Sequence, residues 1–246
     1  MTKRKRRNLI LLNLLLAVTL LLCMGTSATL AWLSDETNTL ENTFTYGDIH
    51  LALEETKTDE KGVPELDADN NPVKTTAGNT YSMLPEESYL KDPVVTVKAG
   101  SEACWLFVKL TESGGFTDGS GTVYGFDDFL TYQVEDGWTK LQGGDSETVY
   151  FRLVEADAAK AGTAYAILKN HQISVIKDVT KDMLNGLDNN GKDKANATYP
   201  KLELKAYAIQ HSGFEAEGTP PTTEQTKAAA ETAWSKIKDS YGSTTP

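Results

Sequence analysis

Three histidines, His50, His171 and His211, the cysteine Cys104 and two acidic loops are the residues of this 246-residue chain whose types could do chemistry. A zinc hydrolase needs two or three ligands at short spacing and a carboxylate base beside them. The histidines stand in widely separated segments and no His-Glu-x-x-His occurs, so each reads as a surface or strand residue. Cys104 alternates with Leu106 and Val108 on an apolar face, the pattern of a buried structural thiol rather than a nucleophile. No Gly-x-Ser-x-Gly elbow is present. Gly114, Gly115, Gly119 and Gly121 lie where no helical pattern follows, which removes a phosphate-binding loop. The segment 67-DADNNP-72 spaces Asp67, Asp69 and Asn71 like the first half of a calcium loop, but Pro72 takes the glycine position and Gly78 that of the bidentate glutamate. These three are the metal candidates; solvated turn chemistry is the favoured reading for them and for 188-DNNGKD-193. No catalytic residue and no cofactor are expected.

The elements that would position any site are strands. Apolar residues recur at every second place in 149-VYFRLV-154 and 202-LELKAYAIQ-210, the strand period. Ile49, Leu51 and Leu53 share one parity and Phe44 and Tyr46 the other, which predicts a bend at Gly47. After Pro93, which can begin a strand or sit on an edge, 94–97 reads as a strand and Ala99–Glu102 as a turn. The next strand, from Ala103 on, is apolar on both faces and so belongs in the centre of a sheet. Further strands fit 130–134, 138–141 and 172–176, with a hairpin around Glu135-Asp136-Gly137. Long polar loops are expected at 55–80, 113–122 and 186–198, and short helical turns near 155–161 and 181–187.

This pattern predicts an all-β, jelly-roll-like two-sheet sandwich over 32–214. Beyond Pro220-Pro221, Thr222 and Gln225 form a capping box. Ala229, Ala233, Trp234, Ile237 and Tyr241 follow at helical spacing, which predicts a helix over about 223–240. Residues 215–246 are therefore read as a linker and a C-terminal helix that packs on the sandwich.

At the other end, five cations at Lys3–Arg7 precede a greasy run from Leu9 to Leu22, the n- and h-regions of a signal peptide. Thr29 and Ala31 supply the small side chains a signal peptidase requires, so 1–31 is expected to be removed and the mature chain to begin at Trp32. An uncleaved membrane anchor is the alternative. Leu22 before Cys23 does not fit a lipobox. Removal of five cations and no acid takes the formal charge from −11 to −16, which disfavours nucleic acid and anionic lipid as partners. Contact with a membrane is expected only through the signal segment before cleavage. With Cys104 then the sole cysteine, no internal disulfide is expected.

The junction 28-ATLAWLSD-35 followed by 42-NTFTYGDIHLAL-53 resembles the exported proteins cleaved by a SipW-type signal peptidase, the TasA and camelysin-like group of Gram-positive bacteria. A second block, 83-MLPEESYLKDPVVTVKAGSEACWLFVKL-110, and the closing 206-AYAIQHSGF-214 are also similar to members of that group; residues 112–200 carry no matching motif. The resemblance implies a jelly roll secreted as a structural protein of a biofilm matrix or cell surface, with that peptidase and other copies of itself, or related matrix proteins, as partners. It further implies strand donation between subunits. Trp32 to Thr45 is the candidate donated segment, with Trp32, Leu33, Leu40 and Phe44 as anchors; the other disposition is a segment folded back as the first strand of its own domain. Two rival functions are a camelysin-type metalloendopeptidase and a monomeric surface module that binds a ligand through Tyr124, Phe126 and Phe129.

Overall fold

In the computed structural model, which describes residues 34–37, 42–43, 49–187, 197–218 and 220–241, the doubly apolar run at Cys104 becomes a long central strand. In chain order the strands begin with β1 (Ser34–Thr37), β2 (Asn42–Thr43), β3 (Leu51–Thr56), β4 (Lys74–Thr75), β5 (Ser88–Leu90), β6 (Val94–Val97) and β7 (Cys104–Thr117). They continue with β8 (Val123–Tyr124), β9 (Leu130–Thr131), β10 (Thr139–Gly143), β11 (Glu147–Val154), β12 (Thr163–Ala166), β13 (Gln172–Val175) and β14 (Thr198–Gln210). Among the described residues three α-helices accompany them: α1 (Ala156–Ala161), α2 (Lys181–Leu187) and α3 (Thr223–Tyr241).

The largest sheet has the order β10-β11-β7-β14-β1-β2, with β8 paired to the far end of β7. A second sheet runs β12-β6-β3-β4 and a third β5-β13-β9. All strand pairs are antiparallel. The expected β-rich chain with a C-terminal helix is what forms. Cys104, Leu106, Val108 and Leu110 of β7 and Leu204, Ala206 and Ala208 of β14 pack on Leu51, Leu53, Val95 and Val97 of the second sheet. Each such large side chain taken out of water contributes about 1.5–3 kcal/mol.

The opposite parity of β7 meets α3. Trp234 lies 5.2 Å, ring centre to ring centre, from both Phe107 and Tyr207, while Ala230, Ala233 and Ile237 are buried with it. Thr222 closes the helix start as predicted: its backbone N–H donates to Gln225 Oε1 at 2.8 Å and its hydroxyl accepts from the Gln225 N–H at 3.2 Å.

Four expectations change. Gly137 does turn the chain, but no hairpin forms around it, because β9 pairs with β13 and β10 with β11. The stretch expected as a loop from 113 is strand, since β7 runs on through Gly114 and Gly115 to Thr117. Glycine is required there: φ is +94° and +135°, and a Cβ would collide with the carbonyls of Tyr199 and Tyr124 on the two flanking strands. The segment 55–80 is a folded ribbon rather than a loop, held by Lys57 N–H to Val73 C=O and Val73 N–H to Glu65 C=O at 2.8 and 2.9 Å. Finally, among the described residues a small third sheet accompanies the two larger ones. Pro93 breaks the chain between β5 and β6, and β5 joins a separate small sheet over a second core of Tyr89, Phe116, Phe129, Ile173 and Val175. The predicted bend at Gly47, the cleavage residues Thr29, Ala31 and Trp32, and the loop 188–193 lie outside the described residues.

Candidate functional site

The residues singled out for chemistry are dispersed over the fold. The His50 backbone N–H donates to Ser101 Oγ at 3.1 Å, the His171 carbonyl accepts from Lys91 N–H, and the His211 ring stands 5.5 Å from that of Trp105. Cys104 is fully buried, and burial pushes its thiol up to about 12, which keeps it protonated. Asp67 commits Oδ1 to its own turn, accepting from the N–H groups of Asp69 and Asn71 at 2.9 Å each, with Asn70 in the left-handed region at φ +63°. Asp59 and Asp118 build the same turn, each accepting from the N–H groups two and four residues on. The 67–71 spacing is thus one of three hairpin turns. Among the described residues no three His, Cys, Asp or Glu side chains gather so as to hold a metal ion. Phe126 and Phe129, expected as exposed ligand contacts, are buried, and Tyr124 stacks on Phe116 at 4.8 Å; aromatic rings of the 124–129 stretch fill the second core instead.

A groove of about 740 Å³ lies beside β14. Six successive β14 residues, Tyr199 to Leu204, line it. Because successive strand side chains point to opposite faces, a groove that meets both parities meets the strand at its edge. That edge is distinctive. On its other side β14 is paired with β7, with a register shift between Thr198 and Lys201, whereas among the described strands its outward partner is β1, opposite Ala206–Ile209. Along 199–204 no described strand adds to it.

The apolar lining comes from Leu53, Leu130, Ile173, Val175, Leu202 and Leu204, and the segment Thr75–Met83 contributes a further wall. That wall is clamped. Asn79 Nδ2 donates to Glu55 Oε1 at 2.9 Å and to the Thr56 carbonyl at 2.8 Å, and Asn79 Oδ1 accepts from Thr58 N–H at 2.8 Å. Tyr81 donates to the Leu90 carbonyl at 2.7 Å; burial, with the Glu55 charge adding to it, pushes its phenol up to about 12, so it remains a donor. Glu55 also holds Lys91 at 2.8 Å, the two side chains being 7% and 9% exposed. Nearby, Asp92 accepts from the Thr56 N–H at 2.7 Å and hydroxyl at 2.6 Å, with Lys74 at 3.4 Å. Burial opposes the charge on Asp92, but these partners outweigh it and hold the carboxyl below its usual range.

Sequence reasoning missed this groove because it arises between segments more than a hundred residues apart. One signal was available: Glu55 shares the parity of Leu51 and Leu53, so a charge stood at a core position and required a partner. Comparison of the chain with protein-family models, curated proteins and solved structures finds no match.

Proposed function

We propose that this chain is a secreted structural subunit of a bacterial matrix or cell surface, of jelly-roll type and without enzymatic activity, whose copies associate by adding a strand to the outer edge of β14. The observation that carries the reading is the 199–204 edge, to which no described strand is added, beside an apolar groove. Six residues of edge span about 20 Å at 3.3 Å per residue, enough for one inserted strand. Such an edge supplies backbone acceptors and, except at Pro200, which has no N–H, donors for affinity, and its groove supplies pockets for alternate side chains.

The N-terminus supports this reading from the other direction. β1 already lies antiparallel on the same edge, Ser34 opposite Ile209 and Thr37 opposite Ala206, so pairing of this segment with β14 is compatible with both backbones. Exchange of that pairing between copies gives a head-to-tail contact that does not close and therefore propagates. The candidate anchors Trp32, Leu33, Leu40 and Phe44 lie outside the described residues. Among the described residues no helix is long and apolar enough to cross a membrane.

Negative-stain microscopy with sedimentation tests the proposal on chain beginning at Trp32. Filaments are expected from it and not from chain lacking 32–43 or carrying Leu202→Asp in the groove. Unchanged assembly in both variants overturns the reading.

A further inference from the structure

Arg152 is the only arginine after residue 7, and its surroundings differ from those of the lysines. On β11 it shares the inward parity of Tyr150 and Val154. Its guanidinium carbon lies 4.0 Å from the ring centre of Tyr165, on edge strand β12, and 5.2 Å from that of Trp138. Trp138 is pinned by donation from Nε1 to the Ala166 carbonyl at 2.8 Å. Gly137 abuts the guanidinium so closely that a Cβ there would stand 3.2 Å from Nη2.

What the group lacks is an anion. Lys57, Lys91, Lys109 and Lys169 each hold a carboxylate. Arg152 has no ion pair among the described residues, in a chain with 35 acidic side chains, and its Nε is buried without a hydrogen-bond partner. The acids of the adjacent turn are engaged elsewhere: Asp136 pairs with Lys169 at 3.2 Å, and Glu135 accepts from the Asp136 N–H at 2.9 Å. Burial disfavours the charge and pushes Arg152 down from its ordinary value.

Aromatic rings engage the π faces of a guanidinium, not the N–H groups that lie in its plane. The in-plane fork is the part that matches a carboxylate with two parallel hydrogen bonds. With Nε enclosed, the Nη1–Nη2 end, which Gly137 flanks on the Nη2 side and which holds no carboxylate among the described residues, is the part of the fork left for a ligand. We infer that the Trp138–Arg152–Tyr165 stack is a carboxylate-binding site that receives its ligand end-on at Nη1 and Nη2. The carboxylate can come from an acidic side chain of another polypeptide or from a small free acid. The inference is independent of strand addition at β14, since the stack lies among β10, β11 and β12.

The test is a nuclear magnetic resonance titration of the full chain labelled with 15N at arginine and tryptophan. Sodium acetate, a blocked Gly-Glu-Gly peptide, a blocked Gly-Gln-Gly peptide and sodium chloride at matched ionic strength are the probes. Acetate or the Glu peptide should shift the Arg152 Nε–Hε and Trp138 Nε1–H signals to saturation, while Arg4, Arg6 and Arg7 follow chloride. Saturation by the Glu peptide at lower concentration than acetate assigns a polypeptide source; the reverse assigns a free acid. In Arg152→Lys, which keeps the charge and loses the fork, the Trp138 signal should need at least about fivefold more of the same probe. Shifts without saturation, or equal shifts with chloride or the Gln peptide, overturn the site, and the wild-type titration decides this even if the lysine variant fails to fold.

Discussion

Replacing Lys91 by Met removes one half of the ion pair behind the groove wall. The Glu55 and Lys91 side chains are 7% and 9% exposed and meet at 2.8 Å. Without Lys91, the Glu55 carboxylate keeps one described side-chain partner, Asn79 Nδ2 at 2.9 Å. An uncompensated buried charge of this type costs about 3–5 kcal/mol. Total stabilities are of order 5–15 kcal/mol, so Lys91→Met should forfeit about a fifth or more of the whole. At about 2–4 °C per kcal/mol for a chain of this size, the melting temperature should fall by roughly 6–20 °C. The double variant Glu55→Met, Lys91→Met removes both charges and fills similar volume, and should return to within about 1–2 kcal/mol of the parent. Urea unfolding followed by circular dichroism on the four members of the cycle measures the coupling. A Lys91→Met loss under about 1 kcal/mol, or a double variant as unstable as the sum of the singles, would refute the claim that burial makes this pair interdependent.

Asp92 sets an acid limit on stability. Because its folded value is depressed, its contribution is complete above the unfolded carboxylate value of about 3.9 and is lost as pH falls through the lower folded one. Asp92→Asn should cost about 1–2 kcal/mol at pH 7, and the gap to the parent should narrow as pH falls below the unfolded carboxylate value of about 3.9; urea midpoints across pH measure it. Trp234→Ala empties the α3 anchor between Phe107 and Tyr207 and should destabilise by about 3–5 kcal/mol, read as a lowered thermal midpoint. Cys104, fully buried and with its thiol raised to about 12, should stay unmodified by a thiol reagent in the native chain and react once urea unfolds it; rapid native labelling would contradict its placement.

The predicted strands and helices were recovered where one local period dominated. Alternation in 149–154 and 202–210 placed β11 and β14, helical spacing placed α3, and apolar residues of both parities placed β7 at the centre of its sheet. Turn chemistry was legible where a residue type demanded it, as at Gly137. Pairing was not, because the partner of a strand is chosen by packing across the whole chain: Gly137 separates strands that join different sheets.

The same division applies to the candidate sites. Composition set the acidic charge, since charge is a property of residue types summed along the chain. The groove forms where β14 runs past β1, with no other described strand added along 199–204, beside Thr75–Met83, segments brought together by the stacking of sheets. Arg152 read as one polar position in an alternating strand; its setting between Trp138 and Tyr165 required three strands to meet. Local periodicity fixes which face a side chain takes on its own element. Only tertiary structure decides what stands opposite that face, because the free energy of the opposing contact belongs to residues far away in sequence.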